Sequence, residues 1–254
     1  MLLNHRQETV LAFDTTYWNL IKEVGKTHSL LFIETDFLNV VAQKSKIIQT
    51  QESLRSSLTN AKYHQDGSIH SDCYYLLPID LRSKDALQNV LIHTKIDKRV
   101  PTLFLSECVL VYMEPEYSSE IIKYSSTFLR PFFVLYEQII PNDNYGRVMV
   151  ENLNDRGCGL KSIHEYPDLS SQRYRFLQRG YSYASANDLY DLYTHYVDQD
   201  VKRRIERIEW FDEFEEWVMI LRHYCIVVAF GMEDGQEPVD DLKQFVEKWQ
   251  FKHK

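Results

Sequence analysis

Apolar positions fall in unbroken blocks along this chain rather than in alternation. Five runs stand out, at residues 30–37 (LLFIETDF), 74–81 (YYLLPIDL), 100–113 (VPTLFLSECVLVYM), 132–140 (FFVLYEQII) and 223–230 (HYCIVVAF). A strand with one wet face alternates, so continuous runs predict strands covered on both faces, the habit of parallel sheets. Helical spacing appears between them. Residues 37–49 carry Leu38, Val41, Ile47 and Ile48, a pattern that starts a helix after the strand. Pro115 and Glu116 read as a helix N-terminus, where proline loses no needed N–H and a carboxylate meets the positive end of the dipole. Tyr117, Ile121, Tyr124 and Phe128 then share one face. Strands alternating with helices of this length predict a doubly wound α/β fold.

Two stretches break the alternation. Residues 49–71 are polar and are expected to form a long loop with one helical turn. Residues 146–216 read as a mostly helical insertion, with segments near 146–157, 170–179, 187–195 and 198–209, placed between late strands where it would cap a substrate site. The charged tail after Gly231 is expected at the periphery. The 254 residues suit a single α/β domain, and 44% apolar with 26% charged residues argues against disorder. A net charge of −8 disfavours nonspecific binding to nucleic acid or anionic membrane. The basic trio Lys202, Arg203 and Arg204 reads as the solvated face of a helix. Four cysteines without a CxxC pair read as reduced thiols with no metal role. No apolar run reaches the roughly 18–20 residues that span a bilayer, and the first residues lack a signal peptide's apolar region and cleavage site. The expected compartment is the cytoplasm.

Candidate chemistry sits at the ends of the apolar runs. Open α/β sheets bind ligands at the carboxyl ends of their strands, and Asp36, Asp80 and Glu107 are read at such positions and are expected to converge on one cleft. A carboxylate at Asp36 suits a pair of ribose hydroxyls. Asp80 followed by the Leu81 N–H suits the amino group and ring nitrogen of adenine. Taken singly, each reads better as a cap on the following helix; taken together and in this order, they point to a nucleoside pocket. Glu107 lies inside a run, flanked by Leu105, Val109 and Leu110. An unpaired charge in a central strand is costly, so Glu107 is expected to meet either a cationic ligand group or a buried Arg or Lys.

These residues belong to ordered blocks. Asp14-Thr15-Thr16-Tyr17-Trp18-Asn19-Leu20, Glu34-Thr35-Asp36-Phe37, Asp80-Leu81-Arg82, residues 106–113 (SECVLVYM) and Tyr136-Glu137-Gln138 follow one another, then residues 211–217 (FDEFEEW) and Arg222-His223-Tyr224. In order and spacing the chain resembles the leucine carboxyl methyltransferases over about residues 8–231. The resemblance implies an S-adenosylmethionine-dependent methyltransferase fold, Rossmann-like, with a mostly parallel sheet, helices on both faces and the helical insertion. It implies S-adenosylmethionine as cofactor and the C-terminal leucine carboxylate of the protein phosphatase 2A catalytic subunit as acceptor. Carried over by position, Asp36 would bind ribose, Asp80 and Leu81 the adenine end, and Glu107 the methionine part, while Tyr112 and Tyr136 would line the acceptor pocket. Both tyrosines also fit as ordinary strand-end aromatics.

A close relative, the methyltransferase domain of the tRNA wybutosine-synthesizing enzyme, shares features of the FDEFEEW block and of residues 176–180 (FLQRG). Residues 148–153 (VMVENL) and 222–225 (RHYC) look more like the phosphatase enzyme. The chain departs from the family where Val10-Leu11-Ala12 stand in place of its glycine-rich first turn. Glycines there let backbone approach the cofactor, so Val10 is expected to crowd the methionine end. The family's covering N-terminal helices are also missing ahead of this point, so the chain reads as truncated at its N-terminus. Weak activity, or a noncatalytic pseudoenzyme that binds a partner through the insertion, is the alternative this implies. Methyl transfer to a carboxylate needs no general base, because an acid of pKa near 4 is already ionised at neutral pH. No catalytic base is assigned.

Overall fold

The computed structural model describes residues 8–12, 30–83, 85–94, 96–208 and 212–232. Its strands, in chain order, are β1 (Glu8–Ala12), β2 (Leu30–Asp36), β3 (Lys62–Tyr63), β4 (Ile69–His70), β5 (Tyr74–Pro78), β6 (Thr102–Glu107), β7 (Pro131–Gln138), β8 (Tyr183–Asp188) and β9 (Tyr224–Phe230). All nine form one sheet in the order β3-β4-β5-β2-β1-β6-β7-β9-β8. The five strands from β5 to β7 in that order run parallel, whereas β9 is antiparallel to both of its neighbours. Strands β2 and β5 lie to one side of β1, and β6 and β7 to the other. The order therefore reverses between β1 and β6, the switch point where such sheets open a crevice at their carboxyl edge.

Both faces of the sheet are covered, as the unbroken apolar runs predicted. Phe32 and Ile33 are successive residues of β2 that point to opposite faces, and each is fully buried in a separate cluster. On one face Phe32 packs with Val41 and Ile48 of α1 (Leu38–Thr50) and with Leu76. On the other, Ile33 joins Phe104, Phe133 and Val227 beneath α3 (Ala86–Thr94) and α4 (Pro115–Ser125). Between α1 and α3 comes the short α2 (Glu52–Arg55). Pro115 does open α4, with Glu116 in its first turn.

The predicted insertion segments become α5 (Asn144–Asp155), α6 (Leu169–Leu177), α7 (Leu189–Tyr196) and α8 (Gln199–Glu206), followed by α9 (Phe214–Arg222). Carboxylates fix their starts: Asp143, Asp188 and Asp198 accept N–H bonds at the ends of α5, α7 and α8. Asp168 and Ser171 form a reciprocal capping box on α6.

The stretch 146–216 is mostly helical, and it also contributes β8, whose residues pair along β9 and form an edge of the sheet. The stretch 49–71 holds the expected helical turn as α2, and also the β3–β4 hairpin in place of loop. Two further expectations are corrected. The run 100–113 is not one strand. It ends at Glu107, because Cys108 adopts a left-handed φ of 50°, which no strand can carry, and the chain then winds into a 3-10 turn (Leu110–Tyr112). Finally, Val10, Leu11 and Ala12 do not form a turn. They pair with Phe32, Ile33 and Glu34 on one side and with Leu103, Phe104 and Leu105 on the other. A backbone bonded on both flanks within the central strand is not a loop approaching a ligand, so the crowding inferred for Val10 loses its premise. Residues 13–29, which include the Asp14–Leu20 block, and the tail beyond Met232 lie outside the described residues. Among the described residues no helix is long and apolar enough to cross a membrane.

Candidate functional site

A cavity of about 500 Å³ opens at the carboxyl ends of β2, β5 and β6. Thr35, Asp36 and Phe37 line it as β2 ends, Ile79 to Arg82 as β5 ends, and Cys108, Val109, Tyr112 and Met113 beyond β6. Gly157, Cys158, Gly159 and Lys161, from the segment after α5, close the remaining side. The size falls within the roughly 300–1,000 Å³ usual for small-molecule clefts.

Asp36 is half-buried at the last position of β2. Its Oδ1 accepts the Phe37 N–H at 2.7 Å, which sets the carboxylate plane, and its Oδ2 has no partner among the described residues. Asp80 follows β5 and is turned by its own neighbour. The Arg82 N–H and Nε donate to Asp80 Oδ1, both at 2.9 Å, and Arg82 Nη2 donates to Oδ2 at 2.6 Å. That arginine holds the Asp80 carboxyl below its ordinary range. The Leu81 side chain is buried in the core, and its N–H makes no hydrogen bond among the described residues. A free acceptor at Asp36, a tethered carboxylate at Asp80 and an open N–H at Leu81 fit the hydroxyls and base edge of a nucleoside.

Glu107 does not behave as its sequence setting suggested. It ends β6, is exposed and does not line the cavity, so it carries no desolvation cost and needs no internal partner. The buried-charge argument applies instead to Glu137, in the run containing β7. Glu137 is wholly buried, and its Oε2 accepts Arg175 Nη1 of α6 at 3.1 Å. Its Oε1 accepts the Val111 N–H at 2.6 Å. One carboxylate thus ties α6 to the 3-10 turn that carries Tyr112 into the cavity. Sequence reasoning missed this residue although the signal was present: a charge inside an apolar run, with no strand breaker beside it.

Tyr112 lines the cavity, whereas Tyr136 lies outside it, stacked on Tyr224 at 5.5 Å. Burial raises the hydroxyl pKa of Tyr112, Tyr136 and Tyr224 above the ordinary tyrosine value. All three stay neutral at physiological pH and are able to donate a hydrogen bond to a carboxylate. Gln138 lies against the Tyr112 and Tyr224 hydroxyls.

Two thiols line the cavity with opposite chemistry. Burial pushes Cys108 up to about 12, so it is almost wholly protonated at pH 8, whereas Cys158 is exposed. Brief treatment with iodoacetamide at pH 8 is therefore expected to alkylate Cys158 and spare Cys108. Peptide mass spectrometry checks this, and equal labelling of the two would contradict the burial of Cys108. No group of three or more metal-ligating side chains occurs among the described residues.

Comparison with known proteins agrees with this geometry. The family model for leucine carboxyl methyltransferase matches residues 5–125. A "leucine carboxyl methyltransferase 1 homolog" of Arabidopsis thaliana is 44% identical over 86% of this chain and 66% of its own length. Leucine carboxyl methyltransferase 1 of Rattus norvegicus is 33% identical over 89% of the chain and 68% of its own. The rat tRNA wybutosine-synthesizing protein 4 is 34% identical over 85% of the chain but only 32% of its own length. Among solved structures, a provisionally assigned methyltransferase of Thermobifida fusca superimposes with a TM-score of 0.56 at 10% identity. It covers 89% of this chain and 74% of its own, a likeness of fold alone.

A sheet with a central switch point, a reversed strand beside β7 and a nucleoside-sized cleft at its carboxyl edge defines the S-adenosylmethionine-dependent methyltransferase fold. Within that class, the chain belongs to the leucine carboxyl methyltransferase family. It spans about two thirds of the length of the leucine carboxyl methyltransferases it matches.

Proposed function

We propose that this chain, in the cytoplasm, methylates the C-terminal leucine carboxylate of the protein phosphatase 2A catalytic subunit. The observation that carries the reading is the cleft itself, in a chain of this family: Asp36, Asp80, Leu81 and Tyr112 line one cavity at the carboxyl edge of the sheet. S-adenosylmethionine, when bound, supplies an electrophilic methyl group on a sulfonium. Asp36 binds the ribose hydroxyls, Asp80 and Leu81 the adenine edge, and Glu107, which ends β6 outside the cavity lining, the amino-acid end. Tyr112 faces the acceptor from the cavity wall, and Tyr136, stacked on Tyr224 outside it, meets the part of the acceptor that stays outside the cavity. The acceptor carboxylate is ionised at neutral pH, so these residues need only align it with the methyl group and exclude water.

The test is transfer of a labelled methyl group to a phosphatase catalytic subunit with a free C-terminal leucine. The expected result is label released by mild base, as an ester requires, and none on a subunit whose terminal carboxyl is amidated. Label on tRNA instead would assign the wybutosine-type reaction. Cofactor binding without transfer to either acceptor would make the chain a noncatalytic binder.

A further inference from the structure

Three donors from Arg82 converge on the Asp80 carboxylate, far more restraint than a helix cap needs. Its backbone N–H falls on Oδ1 at 2.9 Å, its Nε is shared between Oδ1 at 2.9 Å and Oδ2 at 3.2 Å, and Nη2 falls on Oδ2 at 2.6 Å. An ionised carboxylate offers about four lone-pair sites. Oδ1 is filled by two close donors, whereas the fork meets Oδ2 from one side with a single close donor, so the far side of Oδ2 keeps an acceptor site for a ligand. Beside it, one residue along the chain, stands the Leu81 N–H, with no partner among the described residues. The guanidinium is itself held from the other side, with its carbon 5.2 Å from the centroid of the Phe37 ring. Phe37, Asp80, Leu81 and Arg82 all line the same cavity.

What the cavity presents is thus one acceptor next to one donor. The complementary ligand edge is a donor beside an acceptor, as in the exocyclic amine and ring nitrogen of a 6-aminopurine. A 6-oxopurine presents the reverse, a carbonyl facing the carboxylate and an N–H facing the Leu81 N–H, leaving both pairs mismatched. A site built on buried or tethered polar pairs rejects such an analogue strongly. A free carboxylate lacks this rigour, because it can swing to accept the ring N–H of the oxopurine.

Building on the reading of this cleft as the cofactor site, we propose that Arg82 is the positioning residue for base selection. It fixes Asp80 so that the cleft accepts a 6-aminopurine nucleoside and refuses its deaminated counterpart. Arg82 acts through Asp80 and does not itself touch the base.

The experiment is calorimetric titration of the full chain with S-adenosylhomocysteine and with its deaminated analogue, S-inosylhomocysteine. The variants are Arg82→Met, which keeps the apolar stem, and Arg82→Lys, which restores charge without the fork. The unmodified chain is expected to prefer the adenosyl compound by about 30-fold or more, the scale of one mispaired polar edge. Arg82→Met is expected to narrow that preference to about threefold, chiefly by weakening the adenosyl compound. Arg82→Lys, unable to bridge both oxygens, should recover affinity more than selectivity. A ratio between two ligands does not move with overall stability, so a merely structural role for Arg82 would leave it unchanged. If Arg82→Met binds the adenosyl compound and keeps the full ratio, the inference is wrong while the cofactor site stands. If the unmodified chain binds neither compound, the reading of the cleft falls and the inference falls with it.

Discussion

Arg175→Met is expected to lower the melting temperature by about 10 °C, the largest effect of any single change considered. Arg175 and Glu137 are 2% and 0% exposed, and they meet at 3.1 Å. The guanidinium also lies 4.2 Å from the Tyr166 ring centroid and reaches Gln172 Oε1 at 3.3 Å. Removing one partner of a buried pair leaves the other charged and desolvated, at a cost of about 3–5 kcal/mol. In a chain of this size each kcal/mol shifts the midpoint by about 2–4 °C.

The pair itself adds little net stability, because Arg175 Nε and Nη2 have no partner among the described residues. The double variant Glu137→Gln with Arg175→Met keeps an acceptor for the Val111 N–H and removes the stranded charge, so it should regain most of the loss. Burial raises the Glu137 carboxyl above its ordinary value even with Arg175 beside it. A raised carboxyl favours the protonated folded form, so the penalty in Arg175→Met is greatest at neutral pH and shrinks as the pH falls. Thermal scans of both variants at pH 5 and pH 7.5 check the sign. A single variant within about 2 °C of the parent would show that the pair is not what anchors α6 to the 3-10 turn.

Asp36→Ala is expected to weaken cofactor binding about 100-fold with almost no change in melting temperature. In the proposed role its Oδ2, without a partner among the described residues, and its oriented Oδ1 would accept two ribose hydroxyls, and a hydrogen bond to a charged group contributes about 1.5–3 kcal/mol. Losing two such bonds, partly replaced by water, leaves a deficit near 3 kcal/mol, or about two orders of magnitude. The structural cost is small because, among the described residues, the carboxylate bonds only the N–H of its exposed neighbour Phe37. Asp36→Asn keeps that bond but not the charge and should fall between. Calorimetry with S-adenosylmethionine measures the first effect and thermal unfolding the second. Full affinity in Asp36→Ala would remove the ribose role, whereas a large loss of stability would recast Asp36 as a structural cap.

Strands buried on both faces were legible because their composition is dictated by burial alone: residues 30–37 or 132–140 would be insoluble anywhere else. Asp36 and Asp80 were legible for a related reason, since a carboxylate at the end of such a run must face the carboxyl edge. The β8 strand was not. Its residues, YASAND, are small and half polar, and only pairing with β9 makes them a strand. The β3–β4 hairpin has strands of two residues, too short for any period to show. Glu107 and Glu137 look alike in sequence, each a lone acid among apolar neighbours. A single left-handed residue, Cys108, separates them physically: it ends β6 at Glu107 and sends that side chain to solvent, while β7 continues past Glu137 and seals it in.

The reversed strand also fixes the order in which the sheet can be completed during synthesis. β2 can dock on β1, β5 on β2, then β6 on the other flank of β1 and β7 on β6, each soon after it is made. The last step differs, because β9 inserts between β7 and β8, both of which precede it in the chain. Until residues 224–230 arrive, β8 has no strand to join, and the open edge of β7, PFFVLYEQ, presents unpaired N–H and C=O groups along an apolar strand. A nascent chain between residues 138 and 224 is therefore the form most prone to pair with a second copy of itself. The ribosome releases it from that hazard only when β9 emerges.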